Sequence, residues 1–242
     1  MLQRTRLLPL ILRRVVLTGA LGLAAMAGLI WTGVIVVPAQ INPLAPLRVA
    51  DEVGLLTRFK LSRLERNGPE CLVALADAPV LHKPVSDRRM SEGCGFSNAV
   101  EVTRSSVAFS RSFTATCPLA VAWALFETHA LHPAARRHLG QDVVRVTHLG
   151  TYACRNINHR EAGRRSEHAT ANAIDISGFV LADGQQISLE KDWEGNDPRR
   201  TAFLRAARDG ACRFFDVVLS PDYNEAHRDH FHFDMGRYRA CR

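Results

Sequence analysis

Residues 173–189 read Ala-Ile-Asp-Ile-Ser-Gly-Phe-Val-Leu-Ala-Asp-Gly-Gln-Gln-Ile-Ser-Leu. The apolar and β-branched runs Ala173–Val180 and Gln186–Leu189 flank Asp183-Gly184, a dipeptide suited to a tight hairpin turn. An antiparallel strand pair is therefore expected here. Val143–Thr151, Phe214–Leu219 and Phe231–Asp234 have the same strand-like composition. One residue in the quoted stretch stands out. Asp175 lies between Ile174 and Ile176, and a carboxylate buried there needs a cation or hydrogen-bond donors, a structural salt bridge being the plain alternative.

Two helices are predicted around these strands. One starts near Thr116–Pro118, and its Leu119, Ala122, Trp123 and Phe126 recur on one helical face. The other has Asp197 as N-cap, Pro198 in the first turn, Phe203, Leu204 and Ala207 as its buried stripe, and Gly210 just past its end. Val53 to about Arg66 has helical character without an assignable role. The pattern predicts an α+β domain with a small antiparallel sheet flanked by helices.

Working toward the N-terminus, Val15–Val37 is a run of 23 residues with no charge. It exceeds the roughly 20 residues needed to cross a bilayer core. Arg4, Arg6, Arg13 and Arg14 precede it, which keeps residues 1–14 cytoplasmic and sends the remainder to the periplasm. The expectation is a single-pass inner-membrane protein anchored by residues 15–37. Residues 38–64 then form a linker with a possible helix, and one domain occupies 65–242. A cleaved signal peptide is the competing reading, since Val37-Pro38-Ala39 resembles a cleavage site, but the run is longer than the usual ~7–15-residue signal core. A core helix is disfavoured because the run shows no amphipathic pattern.

The same four arginines account for more than half of the net charge of +7. The remaining 27 basic against 24 acidic residues do not support a nucleic-acid partner. With 47% hydrophobic and 23% charged residues the chain is a folding one. Its six cysteines all follow the apolar run and include no Cys-x-x-Cys pair. They read as up to three disulfides in an oxidising compartment, and sequence separation alone suggests Cys71–Cys94.

Two segments carry chemistry. Ser166-Glu167-His168-Ala169-Thr170-Ala171-Asn172-Ala173-Ile174-Asp175 is one, and His227-Arg228-Asp229-His230-Phe231-His232 is the other. Imidazole and carboxylate groups are zinc donors, and a catalytic zinc site uses three protein ligands with a fourth position open. On a strand His230 and His232 project to one face, while Asp229 needs a bend to join them. Ten histidines in one chain also make chance clusters possible. His129, His132, His138 and His148 are expected at the surface or at helix ends.

The first segment resembles the Ser-x-His-x-x-Gly-x-Ala-x-Asp motif of D-Ala-D-Ala carboxypeptidases and related zinc peptidases of peptidoglycan. The second resembles the His-x-His signature of that superfamily, which includes lysostaphin-type endopeptidases and the hedgehog signalling domain. The His227-x-x-His230-x-His232 spacing is similar to that of penicillin-insensitive murein endopeptidases. Over about residues 65–242 the chain resembles the extensin-like C-terminal domain family. The resemblance implies His168, Asp175 and His232 as zinc ligands and His230 as the residue that activates water or stabilises an oxyanion. Asp229, in the frame Asp229-x-x-His232, is the alternative base. Arg155, in Tyr152-Ala153-Cys154-Arg155, stands where a substrate-orienting arginine is implied, with a strand-end salt bridge as its plain reading. Ser166 and His227 are expected beside the substrate. Ala171 replaces the motif glycine, so a positive φ there would be strained.

The resemblance implies a zinc-dependent peptidase acting on peptidoglycan peptides, of carboxypeptidase or endopeptidase type. A non-catalytic zinc-containing wall-binding module is the competing class, and protein partners are not indicated.

Overall fold

The computed structural model describes residues 4–90 and 93–242, without the side chains of residues 4–10 and His159. In chain order the elements are α1 (Arg4–Trp31), α2 (Thr57–Leu64), α3 (Gly68–Ala76), β1 (Leu81–Val85), β2 (Arg88–Arg89), β3 (Gly95–Phe96), β4 (Ala99–Arg104) and β5 (Ala108–Thr116). There follow α4 (Cys117–Phe126), α5 (His132–Leu139), β6 (Val143–Gly150), β7 (Ala173–Leu181), β8 (Gln186–Ser188), α6 (Leu189–Asp192), α7 (Pro198–Ala211), β9 (Val217–Leu219), β10 (Phe231–Asp234) and β11 (Ala240–Cys241).

The fold is α+β, but the sheet is neither small nor wholly antiparallel. Among the described residues nine strands form one sheet in the order β1-β4-β5-β6-β7-β10-β9-β11, with β8 paired to β7. β5 runs parallel to β6, and β11 parallel to β9. The β5–β6 connection contains α4 and α5, and a helical crossover of that length lets a strand return parallel to its predecessor. The strands β1, β4 and β5 have no counterpart in the sequence reading. Charged and small polar residues interrupt β4 and β5, as in Ala-Val-Glu-Val-Thr-Arg, and blur the alternation.

The predicted hairpin forms, with Phe179 opposite Ile187. The predicted helix from Thr116 is α4, and all ten of its residues are buried, not one stripe. Its Cys117 is bonded to Cys71 of α3. That pairing overturns Cys71–Cys94, as does Cys94–Cys154; the third disulfide is Cys212–Cys241. Chain separation is a poor guide because strand pairing brings distant segments together.

α7 starts as expected, with the Asp197 carboxylate accepting from the Arg199 amide at 2.9 Å. It runs through Gly210 to Ala211. Gly210 serves close packing: a Cβ there would lie 2.5 Å from the Cβ of Ala130. The core continues upstream of residue 65, since Leu47, Val49, Leu61 and Leu64 belong to it. Part of segment 38–64 is therefore packed on the domain.

α1 includes one apolar stretch, Ile11–Trp31, long enough to cross a membrane. It ends before Val37, at a turn where Gly33 has φ 74°.

Candidate metal centre

Ser166, just before a 3-10 turn at Glu167–Thr170, accepts a hydrogen bond from the His168 amide at 3.3 Å. The turn ends at Ala171, with φ 55° and ψ 28°. This is the left-handed conformation that favours glycine, now occupied by a fully buried alanine. Asn172 then leads into β7, where Asp175 pairs directly opposite His232 of β10. Phe231 and Phe233 take the other face of β10 and stack in the core. The two-residue strand period thus sends His232 and Asp234 together to the site face.

Three side chains converge. His232 Nδ1 lies 2.9 Å from Asp175 Oδ1, His168 Nε2 lies 3.1 Å from Asp175 Oδ2, and the two ring nitrogens are 3.2 Å apart. All three residues are buried. The outer nitrogens determine which tautomer each ring takes. His168 Nδ1 donates to the Thr151 carbonyl at 3.0 Å, and His232 Nε2 donates to Asp234 Oδ2 at 2.9 Å. Each inner nitrogen is then a lone-pair donor unless its ring carries a second proton.

Two lone pairs and a carboxylate at such range need a shared cation. Without a metal that cation is a proton. Burial alone would lower the His232 pKa, but hydrogen bonds to Asp175 and Asp234 override it and push the value up to about 9. Burial would raise Asp175, yet the hydrogen bonds and charges of His168 and His232 hold it well below the usual carboxylate range. The donor atoms of His168, Asp175 and His232 lie within 4.8 Å of one another and could hold a metal ion. Tetrahedral ligands about 2.0–2.1 Å from one ion are about 3.3–3.4 Å apart, close to the separations here.

The remaining predicted residues surround this cluster. His230 Nε2 lies 3.9 Å from Asp175 Oδ1, and its Nδ1 is 2.8 Å from Asp229 Oδ1. Asp229 therefore contacts His230 and is absent from the donor cluster. The His227 ring is 5.2 Å from that of His230, and its Nδ1 is 2.7 Å from Asn224 Oδ1. Burial, then the neighbouring His232 and His230, lowers its pKa to about 4. Arg155, Ser166, His227 and His232 line one cavity of about 450 Å³.

Of the histidines expected at the surface, His148 is buried, with Nε2 3.0 Å from the Arg111 carbonyl. Two contributors escaped the sequence reading. Asp234 was detectable by the same two-residue spacing that links His230 to His232. The Thr151 carbonyl was not, because a backbone acceptor leaves no residue signature.

These features define a mixed-sheet α+β domain with a buried two-histidine, one-aspartate cluster at the junction of two central strands. Residues 69–242 match the family described as Extensin-like protein C-terminus, and the chain belongs to that family. No curated protein and no solved structure matches the chain.

Proposed function

We propose that this protein is a zinc-dependent hydrolase of peptide bonds in peptidoglycan, held at the periplasmic face of the inner membrane by its N-terminal helix. One observation carries the reading: two imidazoles, each ring fixed by an outer partner, and one carboxylate converge within about 3.2 Å. His168, Asp175 and His232 would hold the ion. When bound, zinc lowers the pKa of a coordinated water toward ~7 and polarises a scissile carbonyl.

His230 is the favoured base. With Nδ1 donating to Asp229, its Nε2 keeps a lone pair directed near the cluster and accepts the proton of an attacking water. Asp229 orients this ring. His227, kept neutral by its low pKa, adds no positive charge that would repel a cation. Arg155, in the adjoining cavity, orients a peptide carbonyl or terminal carboxylate through bidentate hydrogen bonds. The three disulfides fit an oxidising compartment.

The test uses full-length protein in detergent, incubated with muropeptides with and without chelator. His230→Ala should lower cleavage by about 10²-fold or more and retain zinc. His168→Ala should lose both. Cleavage retained by His168→Ala overturns the assignment, and zinc bound without any cleavage points to a binding module.

A further inference from the structure

Beside the cavity next to the donor cluster lies a larger cleft of about 1070 Å³. Arg164, Arg165, Glu167, Gly236 and Tyr238 line both spaces. Among these shared residues the Arg164 guanidinium sits 4.3 Å from the centre of the Tyr238 ring. Among the described residues, six arginines line the larger cleft: Arg88, Arg89, Arg164, Arg165, Arg237 and Arg239. Among the described residues the acids lining it are Glu65, Glu167 and Asp216. Asp216 is paired with Arg58, and Glu167 accepts from Asn172 at 3.0 Å.

The fold assembles this charge from three distant segments. The β2–β3 ribbon carries Arg88 and Arg89 and closes because Gly95 has no Cβ, which would lie 2.1 Å from the Arg88 carbonyl oxygen. The Cys94–Cys154 disulfide ties that ribbon to the segment that bridges Asn156 to Arg165. The Cys212–Cys241 disulfide anchors the strand that follows Arg237 and Arg239. Covalent cross-links thus gather like charges around one concavity. Such a concentration is unfavourable in itself and focuses a positive field on anything entering.

Guanidinium groups bind carboxylates and phosphates in bidentate fashion. The cleft volume reaches the upper end of the ~300–1,000 Å³ typical of small-molecule pockets, which favours an extended ligand. The interspersed Glu65 and Glu167 would repel a strand charged at every unit, such as a phosphate backbone. They suit a strand whose acidic groups alternate with amide donors. We infer that this cleft binds an acidic peptide strand and leads it past Tyr238 toward the donor cluster. The delivery rests on the hydrolase reading; the binding does not.

The experiment measures fluorescence anisotropy of a labelled peptide of alternating glutamate and alanine with full-length protein in nonionic detergent and excess chelator. Arg88→Glu/Arg89→Glu and Arg237→Glu should each weaken binding by about tenfold or more, or roughly 1.4 kcal/mol. Arg137→Glu, on an exposed position of α5 lining neither cavity, should stay within about twofold, as general electrostatics requires at most. His168→Ala should bind like the unaltered protein, which separates this site from the metal reading. Cleft variants indistinguishable from Arg137→Glu, or binding lost in His168→Ala, would overturn the inference. Polyphosphate or oligodeoxythymidylate displacing the label better than unlabelled peptide would overturn the choice of ligand.

Discussion

His232 and Asp234 stand two residues apart on one strand, and the ring Nε2 of the first donates to the buried carboxylate of the second at 2.9 Å. Asp234 is itself fixed by the Gly236 amide, 2.8 Å from its other oxygen. This arrangement turns the opposite ring nitrogen toward Asp175 and His168. The strand period therefore does more than place an imidazole in the cluster; it supplies the partner that selects its tautomer.

Asp234→Asn should keep the fold and weaken zinc binding by about 10–100-fold, the usual effect of losing an outer partner of a ligating histidine. Competition with a chromogenic chelator measures it. An affinity equal to that of the unaltered protein would show that the Asp234 bond does not orient His232.

Zinc binding should strengthen as pH rises. In the metal-free state His232 holds a proton up to about pH 9, and metal must displace it, so apparent affinity should improve by up to about tenfold per unit below that value. The same competition assay from pH 6.5 to 9 checks this. A flat profile would mean the ring is already neutral.

Glu127 should give the fold a distinct pH dependence. It is fully buried, accepts hydrogen bonds from Ser105 and Ser106, and has its pKa raised to about 7, chiefly by burial. A carboxyl with a raised folded pKa contributes stability that is fully present below about 4.5 and lost as pH climbs through about 7. Glu127→Gln should remove that slope, gaining on the order of 2–3 kcal/mol relative to the parent between pH 5 and 8. Urea midpoints at both values decide it, and parallel changes in the two proteins would refute the assignment.

Ala171 provides a backbone prediction. At φ 55° an L-residue pays about 1–2 kcal/mol, while glycine loses about 0.4–1 kcal/mol through its freer unfolded chain. Ala171→Gly should therefore stabilise by up to about 1 kcal/mol. Ala171→Val, β-branched and without space, should destabilise by more than about 2 kcal/mol. A lower urea midpoint for the glycine variant would contradict the strain argument.

Short-range chemistry made much of this molecule legible in the residues. The β7–β8 hairpin follows from Asp183-Gly184 and its apolar flanks, α4 and α7 from their prolines and apolar spacing, and the apolar helix from an uncharged run. Asp175 could be singled out because a carboxylate between two isoleucines is costly to bury unpaired, and His168 and His232 through the motifs that their segments resemble. Position in the chain could not reveal that Asp175 and His232 face each other across two central strands, nor that Thr151 and Asp234 orient the rings. The parallel β5–β6 pairing, the disulfide partners and the arginine-lined cleft likewise depend on contacts between segments dozens of residues apart. Hydrophobic periodicity specifies which face of an element is buried; which other element covers it is decided only when the whole chain packs.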